Sequence, residues 1–315
     1  MTLTFVPELD EQLVAEAASH THEIWSNGSS LEKHTEWQKT NLRRAGPEIL
    51  KYIGLLDETG LIASIKRYGL VVHVPGVGAQ PALGIGAVYT RKDARKKGAA
   101  ATLLRWLLDD ARAQGQVLAL LFSDIGTSYY ERLGFVALPS FEHSAATNDI
   151  SGETSLSVRP ASDPDEHAII AFHEASWVPS VVRIVRTREH LRYFRFRNGA
   201  DRAWILQRDG KDVGYVIAAI HDGKRDDGVT CSSPTLWVDE WAAPGIPIVE
   251  VLGALKIIAT QQSAERIASW LSPWHEHAPF VATARHEPIA MACPLIPPLT
   301  AIDPNQTFFG SLDHF

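Results

Sequence analysis

Between residues 81 and 122 the apolar positions change period twice. Pro81-Ala82-Leu83-Gly84-Ile85-Gly86-Ala87-Val88 is a near-continuous apolar run, which predicts a buried strand. Ala100, Leu103, Leu104, Leu107, Leu108 and Ala111 follow at i, i+3, i+4, i+7, i+8 and i+11, one face of a helix, with Arg105, Asp109, Asp110 and Arg112 off the stripe. Gly115 stands just past the end, where it can close the last turn. Val117-Leu118-Ala119-Leu120-Leu121-Phe122 is then a second buried strand. Upstream, residues 1–5 begin a strand, 11–26 and 31–44 read as helices around Asn27-Gly28-Ser29-Ser30, and 52–56 and 61–74 as a hairpin around Asp57-Glu58-Thr59-Gly60.

Downstream the same succession returns. Residues 139–153 are polar and loop-like, which places a boundary there: a first domain over 1–140, a linker over 141–153 and a second domain over 154–315. In the second, 156–159 reads as a strand, 167–177 as a helix, 202–207 and 213–220 as a hairpin around Asp209-Gly210, 235–241 as a strand, 248–262 as a helix and 267–271 as a strand.

The junction between the strand at 81–88 and its helix is Arg95-Lys96-Lys97-Gly98-Ala99-Ala100. A strand that stops at a basic, small-residue loop and restarts as a helix aims backbone N–H groups and the positive end of the helix dipole at one place, which suits a pyrophosphate. A side chain on Gly98, or a large one at Ala99 or Ala100, would hold phosphate oxygens away from those groups. Residues 91–97 carry five cations and one anion, Asp93, in a chain of formal net charge −7. An acidic chain lacks the basic face that nucleic acid or an anionic membrane needs, so an isolated basic loop points to one small polyanion. The competing reading is a solvated charged turn before an ordinary helix.

Together with Tyr129-Tyr130-Glu131-Arg132-Leu133-Gly134-Phe135 beyond the second strand, this order resembles the GCN5-related N-acetyltransferase (GNAT) superfamily: RxxGxG/A after a strand, a buried strand, and a tyrosine four residues before a Gly-aromatic pair. The likeness spans residues 3–140. Within it, Ser123-Asp124-Ile125-Gly126 through Tyr129-Tyr130 and Leu133-Gly134 is similar to the fungal lysine N6-acetyltransferase family and its two-domain relatives. The resemblance implies an α/β (α+β) fold with a mixed sheet, acetyl-CoA as co-substrate, no metal, and a small-molecule amine as acceptor, with free lysine the first to consider. It further implies that Val88, Tyr89 and Thr90 offer backbone groups to the pantetheine arm, that Arg95, Lys96, Lys97, Gly98, Ala99 and Ala100 hold the pyrophosphate, and that Tyr130 is the general acid. Ser123 stands where many members have asparagine, and keeps fewer donors toward the cofactor. The two N-terminal helices line the acceptor pocket in this superfamily, which makes Trp25, Glu36 and Trp37 substrate contacts, although packing is the rival role for the tryptophans.

A phenol with a pKa of about 10 stays protonated at neutral pH and can protonate a departing thiolate whose thiol has a pKa of about 8.5. Tyr129 is the neighbouring alternative; adjacent helical side chains diverge, so one of the two reaches the thioester, and the spacing to Gly134 favours Tyr130. The proton acceptor for the amine is less clear. The strand at 81–88 has neither carboxylate nor histidine. His73, on the preceding strand, is one candidate, with a satisfied sheet histidine as its plainer reading. Another is the terminus: some multidomain bacterial members place a C-terminal carboxylate in the active site, and this sequence ends in an aromatic tail, Phe308-Phe309-Gly310-Ser311-Leu312-Asp313-His314-Phe315.

In the second half, Ala242-Ala243-Pro244-Gly245-Ile246-Pro247 occupies the strand-to-helix junction without a cation, and its prolines remove N–H donors. This predicts a degenerate GNAT-like repeat that does not bind CoA and buttresses the first domain or closes its acceptor pocket. Asp239-Glu240 either attracts a cationic amine or caps a sheet edge. His275-Glu276-His277 has poor spacing for two metal ligands on one helix face, and His20 and His22 read as solvent or pocket-rim residues. No GxxxxGK[ST] occurs, and Gly84 and Gly86 alone do not argue for a dinucleotide fold. Two isolated cysteines, Cys231 and Cys293, and no run of 18 apolar residues point to a reducing, cytoplasmic setting without membrane or nucleic-acid partners; the oligomeric state is left open. A non-catalytic acyl-CoA-binding or partner-binding module is the alternative to an enzyme.

Overall fold

The computed structural model describes residues 3–197, 202–224, 230–270 and 279–315. The first half runs β1 (Thr4–Val6), α1 (Glu11–Trp25), α2 (Leu31–Ala45), β2 (Leu50–Asp57), β3 (Gly60–Val74), β4 (Gly78–Thr90), α3 (Ala99–Ala113), β5 (Leu118–Ser123), α4 (Ser128–Glu131) and β6 (Val136–Ala137). The remainder runs β7 (Phe141–Ala146), β8 (Ser157–Pro160), α5 (Glu166–Ser176), β9 (Arg183–Ile184), α6 (Arg188–Arg197), β10 (Arg202–Arg208), β11 (Lys211–Lys224), β12 (Thr230–Ala242), α7 (Ile248–Gln261), β13 (Arg266–Ser269), β14 (Val281–Ala284) and β15 (Ile289–Pro294).

Local chemistry sets the helix starts. Asp10 accepts from the N–H groups of Gln12 and Leu13 to open α1, and Ser30 accepts from Lys33 to open α2. The α3 stripe, Leu103, Leu104, Leu107, Leu108 and Ala111, is buried against Ile53, Leu55, Ile62, Ile65, Leu83, Ala119 and Leu121 of the first sheet. α7 buries Val251, Leu252, Leu255 and Ile258 against the second sheet in the same way.

The two sheets have one plan. The first is ordered β1-β2-β3-β4-β5-β15-β6 and the second, read in the same sense, β8-β10-β11-β12-β13-β7-β14. In each, one parallel pair (β4 with β5, β12 with β13) follows a helical crossover and the other pairs are antiparallel. The second half is therefore a GNAT-like repeat of the first. The sixth position differs in origin: β15, from the second half, lies between β5 and β6, with Met291 opposite Leu121 and Ala137, while β7, from the segment that follows β6, lies between β13 and β14.

This corrects the linker reading. Residues 141–153 contain β7, whose polar composition, Phe141-Glu142-His143-Ser144-Ala145-Ala146, conceals a strand. It also shows that sheet membership does not divide at residue 140. A third core joins the halves, where Leu50, Tyr68, Leu70 and Val72 meet Ile184, Leu191, Phe194, Ile205, Tyr215, Ile217, Phe309 and Leu312. Residues after β15 run back along β9, with Val182 N–H donating to Gln306 O at 2.8 Å and Phe308 N–H to Val182 O at 3.0 Å.

Candidate active site

β4 and β5 pair only from Ala82–Leu118 to Ile85–Leu121. Beyond that, β4 takes a register shift against β3 and Ala87 adopts φ 48°, so the strands part. The opening is a cavity of about 710 Å³ at the C-terminal ends of the parallel pair, where ligands of α/β sheets commonly bind. Val88, Tyr89, Thr90, Arg95, Lys96, Gly98, Ala99, Ala100, Tyr129 and Tyr130 line it, together with Ile24 and Trp25 from the end of α1.

The floor of this cleft is built for an anion. Gly98 is the N-cap of α3 at φ 86°, a left-handed conformation costly for other residues, and no side chain caps the helix. The N–H groups of its first turn are thus open to a ligand, and Ala99, Ala100 and Ala101 are small enough to expose them. A Cβ at Gly98 would meet no protein atom within 4 Å, so within the protein φ is the constraint that favours glycine there. Of the five cations, Arg91 is forked onto Asp93 and Lys92 is paired with Glu23. Lys97 is exposed and does not line the cavity, which leaves Arg95 and Lys96 as its basic wall. Arg95 is fixed by donating to Thr90 O at 3.1 Å and by lying 5.7 Å from the Tyr89 ring centre. The residues present fit the diphosphate and pantetheine of acetyl-CoA.

Tyr130 sits on α4, where Thr127 O accepts from its N–H at 3.0 Å; the turn to Gly134 at φ 93° closes the tyrosine-to-glycine spacing. The ring is 6% exposed, and burial, then Tyr129 and Asp124, push its phenol well above the ordinary range, so it is held protonated. Tyr129 also lines the cavity, its ring 5.1 Å from that of Tyr130, so both phenols face the cleft.

Several expected contacts lie elsewhere. Ser123 is buried and spends its hydroxyl on the following turn, donating to Gly126 O at 2.6 Å; it does not line the cavity. Glu36 is exposed and paired with Arg43 along α2, and Trp37 packs on Phe196 at 5.5 Å, both outside the cleft. His73 pairs with Ala79 and Arg183 at the far end of β3, its Nε2 3.1 Å from Pro179 O, a satisfied sheet histidine and not a base. His20 stacks on Tyr89 at 6.0 Å, and His22 bonds Ser29 O at 2.7 Å. His275, Glu276 and His277 lie outside the described residues. Among the described residues no group of His, Cys, Asp and Glu is placed to hold a metal ion, and no helix is long and apolar enough to cross a membrane.

Phe315, from the other half, packs against residues that line the cleft. Its ring lies 4.6 Å from that of Tyr68 and 5.7 Å from that of Phe122, and Arg197 donates to the carbonyl of His314. A Cβ at Gly84 would come within 2.7 Å of the Phe315 ring, and one at Gly86, a cavity-lining residue, within 3.0 Å of the Phe315 carbonyl oxygen. The two glycines on β4 therefore make room for the last residue. Opposite Gly86 on β3 is Lys66, which the sequence reading passed over; its ammonium lies 5.4 Å from the Tyr52 ring, and burial, then Arg197, pulls it down to about 7.

Residues 8–137 match the family model of the acetyltransferase (GNAT) domain. No curated protein matches the chain. Among solved structures it is similar to an Enterococcus faecalis protein named as a probable N-acyltransferase (16% identity, 94% of this chain and 73% of that one, TM-score 0.72). It is also similar to GCN5-related N-acetyltransferases from Kribbella flavida (18% identity, 92% and 70%, TM-score 0.68) and Anabaena variabilis (16% identity, 92% and 72%, TM-score 0.68). The likenesses cover both halves and concern the fold. The family match makes residues 8–137 a GNAT acetyltransferase domain, and the chain is an enzyme of the acyltransferase class.

Proposed function

We propose that the chain transfers the acetyl group of acetyl-CoA to the primary amine of a small molecule by direct attack in a ternary complex. The amine nitrogen bonds to the thioester carbonyl, the carbon–sulfur bond breaks, Tyr130 gives its proton to the departing sulfur, and the amine gives one up to a base. The carboxyl group that Phe315 carries in this sequence is that base. The supporting observation is the seat of Phe315 against Gly86, on the strand that lines the cleft with Tyr130. A neutral phenol beside the leaving sulfur and an acceptor for the amine proton are what an aminolysis of a thioester needs. Arg95, Lys96 and the first turn of α3 hold the diphosphate, and the pantetheine runs along Val88–Thr90. Trp25 borders the acceptor side. The second half carries the tail to the cleft.

A thiol-release assay with L-lysine, polyamines, aminoglycosides and peptide N-termini tests this reading. The expected result is amine-dependent release, lowered at least a hundredfold when the last three residues are removed while acetyl-CoA affinity stays within about twofold, in line with the loss of an acid–base group. Binding of acetyl-CoA without amine-stimulated release would leave an acyl-CoA-binding module instead. An unchanged rate in the shortened chain would remove Phe315 from the mechanism.

A further inference from the structure

The second half opens a cleft at the place equivalent to the first. β12 and β13 pair from Thr235–Arg266 to Val238–Ser269, and β12 then bulges at Asp239. The result is a cavity of about 410 Å³, in the range of small-molecule sites. Its wall chemistry is the reverse of the first. Asp239, Glu240 and Asp313 line it, and among the described residues no Lys or Arg does. Trp177, Trp241, Trp270 and Phe308 supply aromatic walls.

The cations near it do not cancel the carboxylates. Arg186, buried behind the cavity, donates to both Glu240 and Asp313, and Arg285 lies 3.4 Å from the Trp270 ring centre. Arg183, over Trp177, is held by Glu174. Three carboxylates against two guanidiniums leave a negative balance. The Tyr215 hydroxyl donates to Glu240 at 2.7 Å, and His173, 3.5 Å from the same carboxylate, is held toward its neutral form by burial. An aromatic-walled, negatively charged cavity favours an organic cation.

Trp270 is 3% exposed, and its indole N–H meets no acceptor among the described residues. Pro247 as N-cap of α7 meanwhile argues against an anion there.

We infer that this second cleft is a binding site for a small organic ammonium ion. Its ammonium sits among Asp239, Glu240 and the aromatic side chains. Because Phe308, Gly310 and Asp313 belong both to this wall and to the tail that ends at Phe315, the ligand touches the segment that packs against the first cleft.

The test uses the full chain and two probes of equal shape, choline and its uncharged carbon analogue 3,3-dimethylbutan-1-ol. Indole N–H resonances are followed by two-dimensional NMR, with the Trp270 signal assigned by its loss in Trp270→Phe. Choline is expected to shift that signal saturably, and the neutral analogue at the same concentration to leave it in place. Asp239→Asn should weaken choline at least tenfold; Asp124→Asn, in the first cleft, should leave its affinity within twofold. If Asp239→Asn does not melt cooperatively, Trp177→Leu serves in its place with the same expected loss. No saturable shift, an equal shift with the neutral analogue, or sensitivity to Asp124→Asn but not to the second-cleft variants would each overturn the proposal. None of these readouts depends on acetyl transfer.

Discussion

The two clefts occupy the same position in two copies of one sheet, and they differ in almost every wall residue. In the first, Gly98 in the left-handed region and three alanines expose the start of α3, and Arg95 and Lys96 supply charge. In the second, Pro247 opens α7 and three carboxylates face the opening. The backbone decides where a cleft forms, because parallel strands part at a bulge in both halves. A handful of side chains then decides the sign of what it accepts. Duplication has kept the opening and exchanged its chemistry.

Four measurements can break or sharpen that contrast. The largest effect is expected for Tyr130→Phe, which removes the proposed proton donor of the first cleft: turnover should fall about 10²–10⁴-fold with acetyl-CoA affinity nearly unchanged. Retention of more than a tenth of the rate would transfer the role to Tyr129. Next is Arg186→Met, which leaves Glu240 and Asp313 buried without their cation; a loss of about 3–5 kcal/mol in chemical denaturation is expected. A loss below 1 kcal/mol would mean that the two carboxylates find other partners. Gly98→Ala should cost about 1–2 kcal/mol of the cradle conformation and weaken acetyl-CoA correspondingly, whereas Gly245→Ala in the second cleft should leave it untouched.

The smallest effect concerns Lys66. Its pKa of about 7 in the folded chain lies below the ordinary lysine value of about 10.4, so between those values the unfolded chain binds the extra proton and stability rises with pH. The folded state therefore carries its greatest burden from this residue below pH 7. Lys66→Met should raise the melting temperature at pH 6, with the gain shrinking toward pH 10. A gain independent of pH would show that Lys66 acts only through packing.

Most of the first cleft was legible in the sequence. A period change from strand to helix, a small basic loop and the Tyr130–Gly134 spacing are all local, and local patterns survive without knowledge of the fold. What failed was tertiary. Ser123 reads as a cofactor contact until its hydroxyl is seen closing the turn to Gly126. Glu36 and Trp37 lie on the α2 face turned toward Arg43 and Phe196, a choice set by how α6 packs, and α6 itself was hidden by a run rich in arginine. β7 was invisible because a strand flanked by partners from a distant segment needs little hydrophobic pattern of its own. Gly84 and Gly86 looked like weak dinucleotide signals; only the position of Phe315 explains them.

The sixth strands carry a consequence for how the chain assembles. Ser123 must wait for Ile289 before the first sheet is complete, and His143 for Ser269 before the second is. Such distant pairings slow the search for the native state. The first half should not mature while the ribosome is still making the second. A piece ending near residue 140 would leave a slot between β5 and β6 that a synthetic peptide matching 289–294 could plug, and an unplugged slot invites edge-to-edge clumping.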